Sequence, residues 1–346
     1  LRRGAILGAA VASLISAGAA AEDVVVPLEE GRIVRFLGAA SAREAIVSEE
    51  GDPFFKTLSR FDLEARLGRS IDGISREEAV QLLRKRFQNA CVEWTRDEVE
   101  TLVESCRRLW GRARELCPGF IPAEWKFIKT DGSEEGGAAY TRADAIILPV
   151  SKLGWNLGGR GGARLDRLVA HETCHVYGRR NSGVRARLFD RLGFAFVGPI
   201  DLGEELAARS ITNPDGPIVD AVIRLSLRGG REIDAAMVLY APVERPNFQE
   251  SGRGVMPYLQ FGFFEAEETP EGWRLAREPG AAPRARKIQE VSGFFERIGR
   301  NTTYFIGPDE ILAENVAIGL AGAEEEIPNP EIPRDLLKVI RRAHAE

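Results

Sequence analysis

Histidine is scarce in this chain of 346 residues: there are three, against 52 acidic and 47 basic side chains. Any site built on imidazole therefore has few possible locations. A basic excess is also missing, because the net charge is −5. Nothing is left over to neutralise a phosphate backbone, which argues against a nucleic-acid partner. Beyond Ala21 no run is apolar and long enough to span a bilayer. Glycine (36) and proline (18) show no collagen-like or low-complexity bias. With 44% hydrophobic and 29% charged residues, the composition is that of a globular protein with a sizeable core.

The amino end reads as a secretory signal. Arg2 and Arg3 precede an uncharged stretch from Gly4 to Ala21, and Ala17, Ala19 and Ala21 satisfy an A-x-A cleavage rule. Residues 1–21 are expected to be removed, leaving a secreted or periplasmic protein with no stable membrane insertion; an uncleaved anchor is the alternative. An oxidising compartment permits disulfides, yet the four cysteines fit them poorly. Cys106 and Cys117 fall on one predicted helix, about 16 Å apart along its axis, beyond the reach of a bridge. Cys91, at the end of the preceding helix, is separated from Cys106 by a similar distance in a helical hairpin. Buried thiols are the expectation for most of the four.

Residues 22–122 pattern as mostly helical. Ser75-x-x-Glu78 and Thr95-x-x-Glu98 are capping boxes, and the second opens an apolar stripe running through Val99, Leu102, Val103, Cys106, Leu109, Trp110, Ala113, Leu116 and Cys117. Residues 123–346 read as the second, catalytic unit. They begin with strands at WKFIKT and at AYTRADAIILP, separated by a glycine-containing turn. A helix then spans about Ala163–Tyr177 and is stopped by Gly178. Short strands or loops occupy about 194–258, an exposed polar excursion runs over 265–286, and two helical stretches, IQEVSGFFERIG and DEILAENVAIGLAG, flank NTTYFIGP. A short amphipathic helix closes the chain. The fold class is α+β.

Two of the three histidines, His171 and His175, form H-E-x-x-H on the helix before Gly178. Spacing of four places both imidazoles on one face, as two ligands of a tetrahedral Zn²⁺ require. Glu172 lies about 100° around the helix and can reach a water held there. Three histidines scattered at random give a pair four apart in about 2% of chains this long, and the intervening glutamate lowers this to about 0.1%. His344 lies in a charged tail and reads as solvated. Cys174, on the flank of the motif, reads as a packed thiol.

Downstream, Glu310 and Glu314 in PDEILAEN are again four apart on a predicted helix. One carboxylate can bind metal while the other accepts a hydrogen bond from a ligand histidine. On these residues the chain resembles the gluzincin class of zinc metallopeptidases, H-E-x-x-H followed at a distance by E-x-x-x-D, within the zincin superfamily. The resemblance implies His171, His175 and Glu310 as ligands, Glu172 as general base and Glu314 as orienter. It also implies a small mixed sheet whose antiparallel edge strand lies over the metal helix and pairs with an extended peptide substrate. The chain departs from the pattern in carrying Glu314 for Asp and in the 135-residue interval from His175 to Glu310.

A second zincin pattern competes. HETCHVYGRRN matches the metzincin signature except that Asn181 stands where a third histidine belongs, and GVMPY, with Met256 and Tyr258, is similar to a Met-turn. Under either reading Tyr258 is the donor to the oxyanion of the tetrahedral intermediate, with Tyr304 the alternative. The functional expectation is a secreted, Zn²⁺-dependent metalloprotease acting on a peptide or protein substrate, an endopeptidase rather than an exopeptidase because the G-x-M-E-N signature of gluzincin aminopeptidases is missing. The alternative is a non-catalytic zinc- or peptide-binding envelope protein on the same scaffold.

Overall fold

The computed structural model describes residues 22–154, 161–249, 254–277, 281–322 and 326–344. The signal sequence expected over 1–21 lies outside them. Two β-branched runs follow at once, Val24–Pro27 (β1) and Ile33–Phe36 (β2), and pair as an antiparallel hairpin. The chain then leaves through helices Ala39–Ala45 (α1), Phe54–Thr57 (α2), Arg60–Leu67 (α3), Arg76–Ala90 (α4) and Arg96–Leu116 (α5). It returns as Glu124–Thr130 (β3), parallel to β2, which is the long crossover that parallel pairing demands. The expected division after residue 122 therefore runs through a single sheet, and residues 22–122 contain strands as well as helices. Hydrophobic pattern alone did not reveal β1 and β2, because a four-residue apolar run has too little periodicity to tell strand from helix.

The stretch AYTRADAIILP, read as one strand, is a hairpin of Tyr140–Arg142 (β4) and Ala145–Pro149 (β5). Its turn contains Ala143 at φ 47°, a left-handed conformation costing about 1–3 kcal/mol that only surrounding contacts can hold. Those contacts are Asp52, which accepts from the Ala143 amide at 3.0 Å, and Arg179, which donates to its carbonyl at 2.7 Å. The sheet order is β1-β2-β3-β5-β4, mixed in direction, with β4 as an antiparallel edge.

Val150–Leu153 (α6) leads away from the sheet. The helix carrying H-E-x-x-H, Gly161–Arg180 (α7), packs against β4, β5 and α5. Trp125 of β3 donates to Thr173 at 2.9 Å, and Asp166 accepts from Ser105 at 2.6 Å and from Arg108 at 2.7 and 2.8 Å. Both capping boxes form, each cap typically contributing about 1 kcal/mol. The apolar stripe on α5 is buried as expected except Leu116, which is 43% exposed. At about 100° per residue it has drifted to the margin of the stripe. All four cysteines are buried and unpaired.

Gly178 does not stop α7, which continues through Arg180 before Ser182–Arg191 (α8) begins. Nothing at Gly178 requires a left-handed residue, so the ladder simply goes on. The second sheet takes Phe194–Phe196 (β6), Ile200–Asp201 (β7), Ala221–Leu227 (β8), Glu232–Tyr240 (β9), Gln260–Thr269 (β10), Gly272–Leu275 (β11) and Val291–Ser292 (β12), with Glu204–Arg209 (α9) between β7 and β8. Residues 265–275 are thus a β-hairpin rather than a loop: Ala266 and Leu275 turn inward while Glu267 and Arg274 face out and pair. IQEVSGFFERIG is not one helix either. Gly293, at φ 90°, breaks it and caps a short helix at Phe294–Ile298 (α10).

Two further helices complete the core. Pro308–Ala321 (α11) lies along α7, and Glu331–Ala343 (α12) covers α11 with Leu336, Leu337 and Ile340 buried. His344 is exposed but not free, since its Nε2 meets the Tyr177 hydroxyl at 3.0 Å. No helix among the described residues is long and apolar enough to cross a membrane.

Candidate metal centre

His171 and His175 project from α7 toward α11, where Glu310 occupies the first turn. The Nε2 atoms of the two histidines are 3.1 Å apart; Glu310 Oε2 is 3.1 Å from the first and 3.7 Å from the second. A tetrahedral ion at ~2.0–2.1 Å from each ligand would space them by about 3.3 Å, so the three atoms already describe one face of such a site. All three residues are buried.

The ligand atoms are held from behind. His171 Nδ1 meets Glu314 Oε1 at 3.2 Å, which places the ring proton on Nδ1 and leaves Nε2 for a metal. Glu314 is in turn fixed by Arg167 at 2.6 Å and by the Thr302 hydroxyl at 3.1 Å. Asn213 donates to Glu310 Oε1 at 2.7 Å, leaving Oε2 to face the histidines. Replacing Glu314 by glutamine should weaken metal affinity by about 10–100-fold, read by competition with a chromophoric chelator. Unchanged affinity would show that the ring needs no such partner.

Electrostatics point the same way. Burial disfavours the charged form of His171, but the carboxylates of Glu310 and Glu314 outweigh it and raise its pKa well above the ordinary value. For His175, burial is likewise overcome by Asp215 and Glu310. Burial opposes ionisation of Glu310 and Glu314 as well, yet the histidines hold Glu310 well below the usual carboxylate range, and His171 with Arg167 brings Glu314 down to about 2. The pocket therefore favours positive charge. Glu172 behaves oppositely: burial first, then the neighbouring Asp215 carboxylate, raises its pKa. Its Oε2 is buried and has no hydrogen-bond partner among the described residues. Such an atom normally costs about 1–3 kcal/mol, and at a site of this kind it is a group awaiting a partner.

A cavity of about 390 Å³ opens on the cluster, lined by His171, Glu172, Asp215, Tyr304, Glu310 and Glu314 among others. A larger groove of about 840 Å³ lies beside the β4–β5 turn but holds no histidine, so size does not mark the chemistry. Tyr304, 46% exposed, has its ring centroid 6.4 Å from that of His171. Tyr258 is not in the cavity lining: its hydroxyl accepts from the Asn247 amide at 2.7 Å and donates to the Asn247 carbonyl at 3.1 Å, and its ring packs on Phe61. Tyr258 is thus not placed where an oxyanion donor is expected, whereas Tyr304, the alternative, is among the residues that line the cavity.

The metzincin pattern does not assemble. Because α7 runs on past Gly178, Asn181 caps the next helix and its side chain donates to the Tyr177 carbonyl at 2.9 Å. Met256 is 43% exposed in a short 3₁₀ turn. Cys174 is a buried thiol whose pKa burial pushes up, as expected of a packed residue. Four contributors were not singled out in the sequence: Arg167, Asn213, Asp215 and Thr302. Arg167, one turn before His171, was accessible from helical periodicity; the others come from loops. Comparison with protein-family models, with curated proteins and with solved structures finds no match to this chain.

Proposed function

We propose that this protein is a zinc-dependent metallopeptidase that hydrolyses internal peptide bonds. The observation that carries the reading is the 3.1–3.7 Å triangle of His171 Nε2, His175 Nε2 and Glu310 Oε2, backed by Glu314 and Asn213. Two nitrogens and one carboxylate suit zinc, and three protein ligands leave one position open, as hydrolytic sites require. When bound, the ion supplies a Lewis acid and acidifies a water molecule.

The chain's own residues do the rest. Glu172, beside the triangle and with an unpartnered oxygen, takes the proton of the attacking water and passes it to the leaving amine. Tyr304 can donate to the oxyanion from the cavity wall. The mixed sheet with β4 as an antiparallel edge, packed on α7, supports a zincin-like core. Export rests on the character of residues 1–21 alone.

Purified protein is expected to carry one zinc per chain and to generate new amino termini in a peptide library of mixed sequence. A chelator should abolish cleavage and zinc should restore it. Zinc-bearing protein that cleaves nothing across the library would instead support a non-catalytic zinc- or peptide-binding role.

A further inference from the structure

The cavity that opens on the metal triangle is lined unevenly in charge. Its carboxylates gather around the two histidines: Glu310 faces both, Glu314 meets His171, and Asp215 lies with Glu172 and His175. Its cations come from elsewhere. Arg164 and Arg167 stand on α7 ahead of His171, and Lys152 reaches the same cavity from α6. Helical spacing explains why the two arginines share a face with the histidine: Arg167 precedes His171 by about one turn and Arg164 by about two.

These cations are not equivalent. Arg167 donates from Nη2 to Glu314 at 2.6 Å, and no partner for its Nε or Nη1 is found among the described residues. A guanidinium carries its donors in a fixed fork, so it can take a second carboxylate while keeping the first. The Arg167 side chain is half-buried in the cavity wall, where such a group can reach it. Arg164 is exposed and Lys152 half-buried, and each already interacts within the protein. Ion pairs at exposed positions contribute little, so an incoming carboxylate can share these two cations with the groups they touch.

Distance sets where that carboxylate lies on a substrate. Along the helix axis Arg167 and Arg164 are about 6 and 10 Å from His171. An extended peptide advances about 3.3 Å per residue, which makes this span roughly two to three residues from the bond held at the metal.

We propose that the site selects peptides bearing a carboxylate at that remove from the scissile bond, with Arg164, Arg167 and Lys152 as the residues that determine the preference. An acidic side chain and a free chain terminus present the same planar anion to a guanidinium, and either can supply it. The inference rests on the metallopeptidase reading for the scissile bond, but not for the charge preference itself.

The zinc-loaded full chain tests it with end-blocked peptides that differ only in Glu or Gln at those positions, and with Gln peptides ending in a free acid or an amide. kcat/KM should favour the anionic member of at least one pair by about tenfold, as a charge-assisted hydrogen bond allows. The preference should shrink as salt is raised. Arg164→Glu and Lys152→Glu should each bring the ratio to one or below, with zinc content at the wild-type level as the check that the site has folded. Binding of the same peptides to zinc-loaded Glu172→Gln, read by fluorescence anisotropy, gives the preference without turnover. Equal rates and equal affinities within every pair would overturn the charge preference and leave the peptidase reading standing, and a preference that survives both reversals would remove these cations from it. Charge-selective binding by a protein that cleaves none of the peptides would overturn the peptidase reading and keep the anion site. Binding of no peptide at all would overturn both.

Discussion

Replacing Glu172 with glutamine is expected to lower kcat for peptide hydrolysis by about 10²–10⁴-fold, the usual contribution of a positioned general base. The side chains are the same shape, so the buried pocket and the helix stay intact. What changes is one oxygen: the carboxylate that can take a proton becomes an amide that cannot. Zinc content should be unchanged, because the three atoms that form the metal triangle come from His171, His175 and Glu310. Parallel measurement of kcat and of metal stoichiometry separates the possibilities. Full activity in the glutamine variant would remove Glu172 from the mechanism; loss of zinc together with activity would make it structural.

The second large effect concerns the third ligand. Glu310→Ala should lose zinc by much more than the 10–100-fold typical of an outer-shell partner, since it removes a proposed ligand oxygen and, among the described residues, the only carboxylate within 4 Å of both histidines. Asn181→Ala should keep its zinc, because that side chain is committed to the Tyr177 carbonyl. Metal analysis of the two variants after extensive dialysis decides between them. Zinc kept by the first and lost by the second would restore the metzincin pattern and sink the carboxylate assignment. Glu310→Ala also leaves Asn213 without its acceptor, so a rise in backbone mobility over 212–216 should accompany the loss.

Several features were legible because their information is local. A capping box is four residues long, and both that were read in the sequence formed. H-E-x-x-H needs only the helical repeat to bring two imidazoles together, and E-x-x-x-E needs only the same repeat to place Glu310 and Glu314 on one face. The structure departs from the local pattern where the outcome depends on distant partners. β2 is not legible locally because a four-residue run becomes an inner strand only when β3, some 90 residues later, pairs beside it, and β1 is a strand by pairing with β2. The direction of Tyr258 is not encoded locally, because nothing in its neighbourhood shows which way a 3₁₀ turn will aim the ring.

The chemistry on offer is written in local pattern: two histidines and a glutamate at helical spacing, a pair of glutamates downstream, no basic excess, and too few histidines for an all-imidazole site without the tail folding back. Which of these groups meet depends on long-range packing. The packing of α11 along α7 brings Glu310 within 3.1 Å of His171 across 139 residues of chain, and a loop from the second half carries Asp215 against the edge of the first sheet. Both are long-range closures whose entropy must be offset by burial of the whole core, and no local pattern in the chain encodes where such a closure will fall.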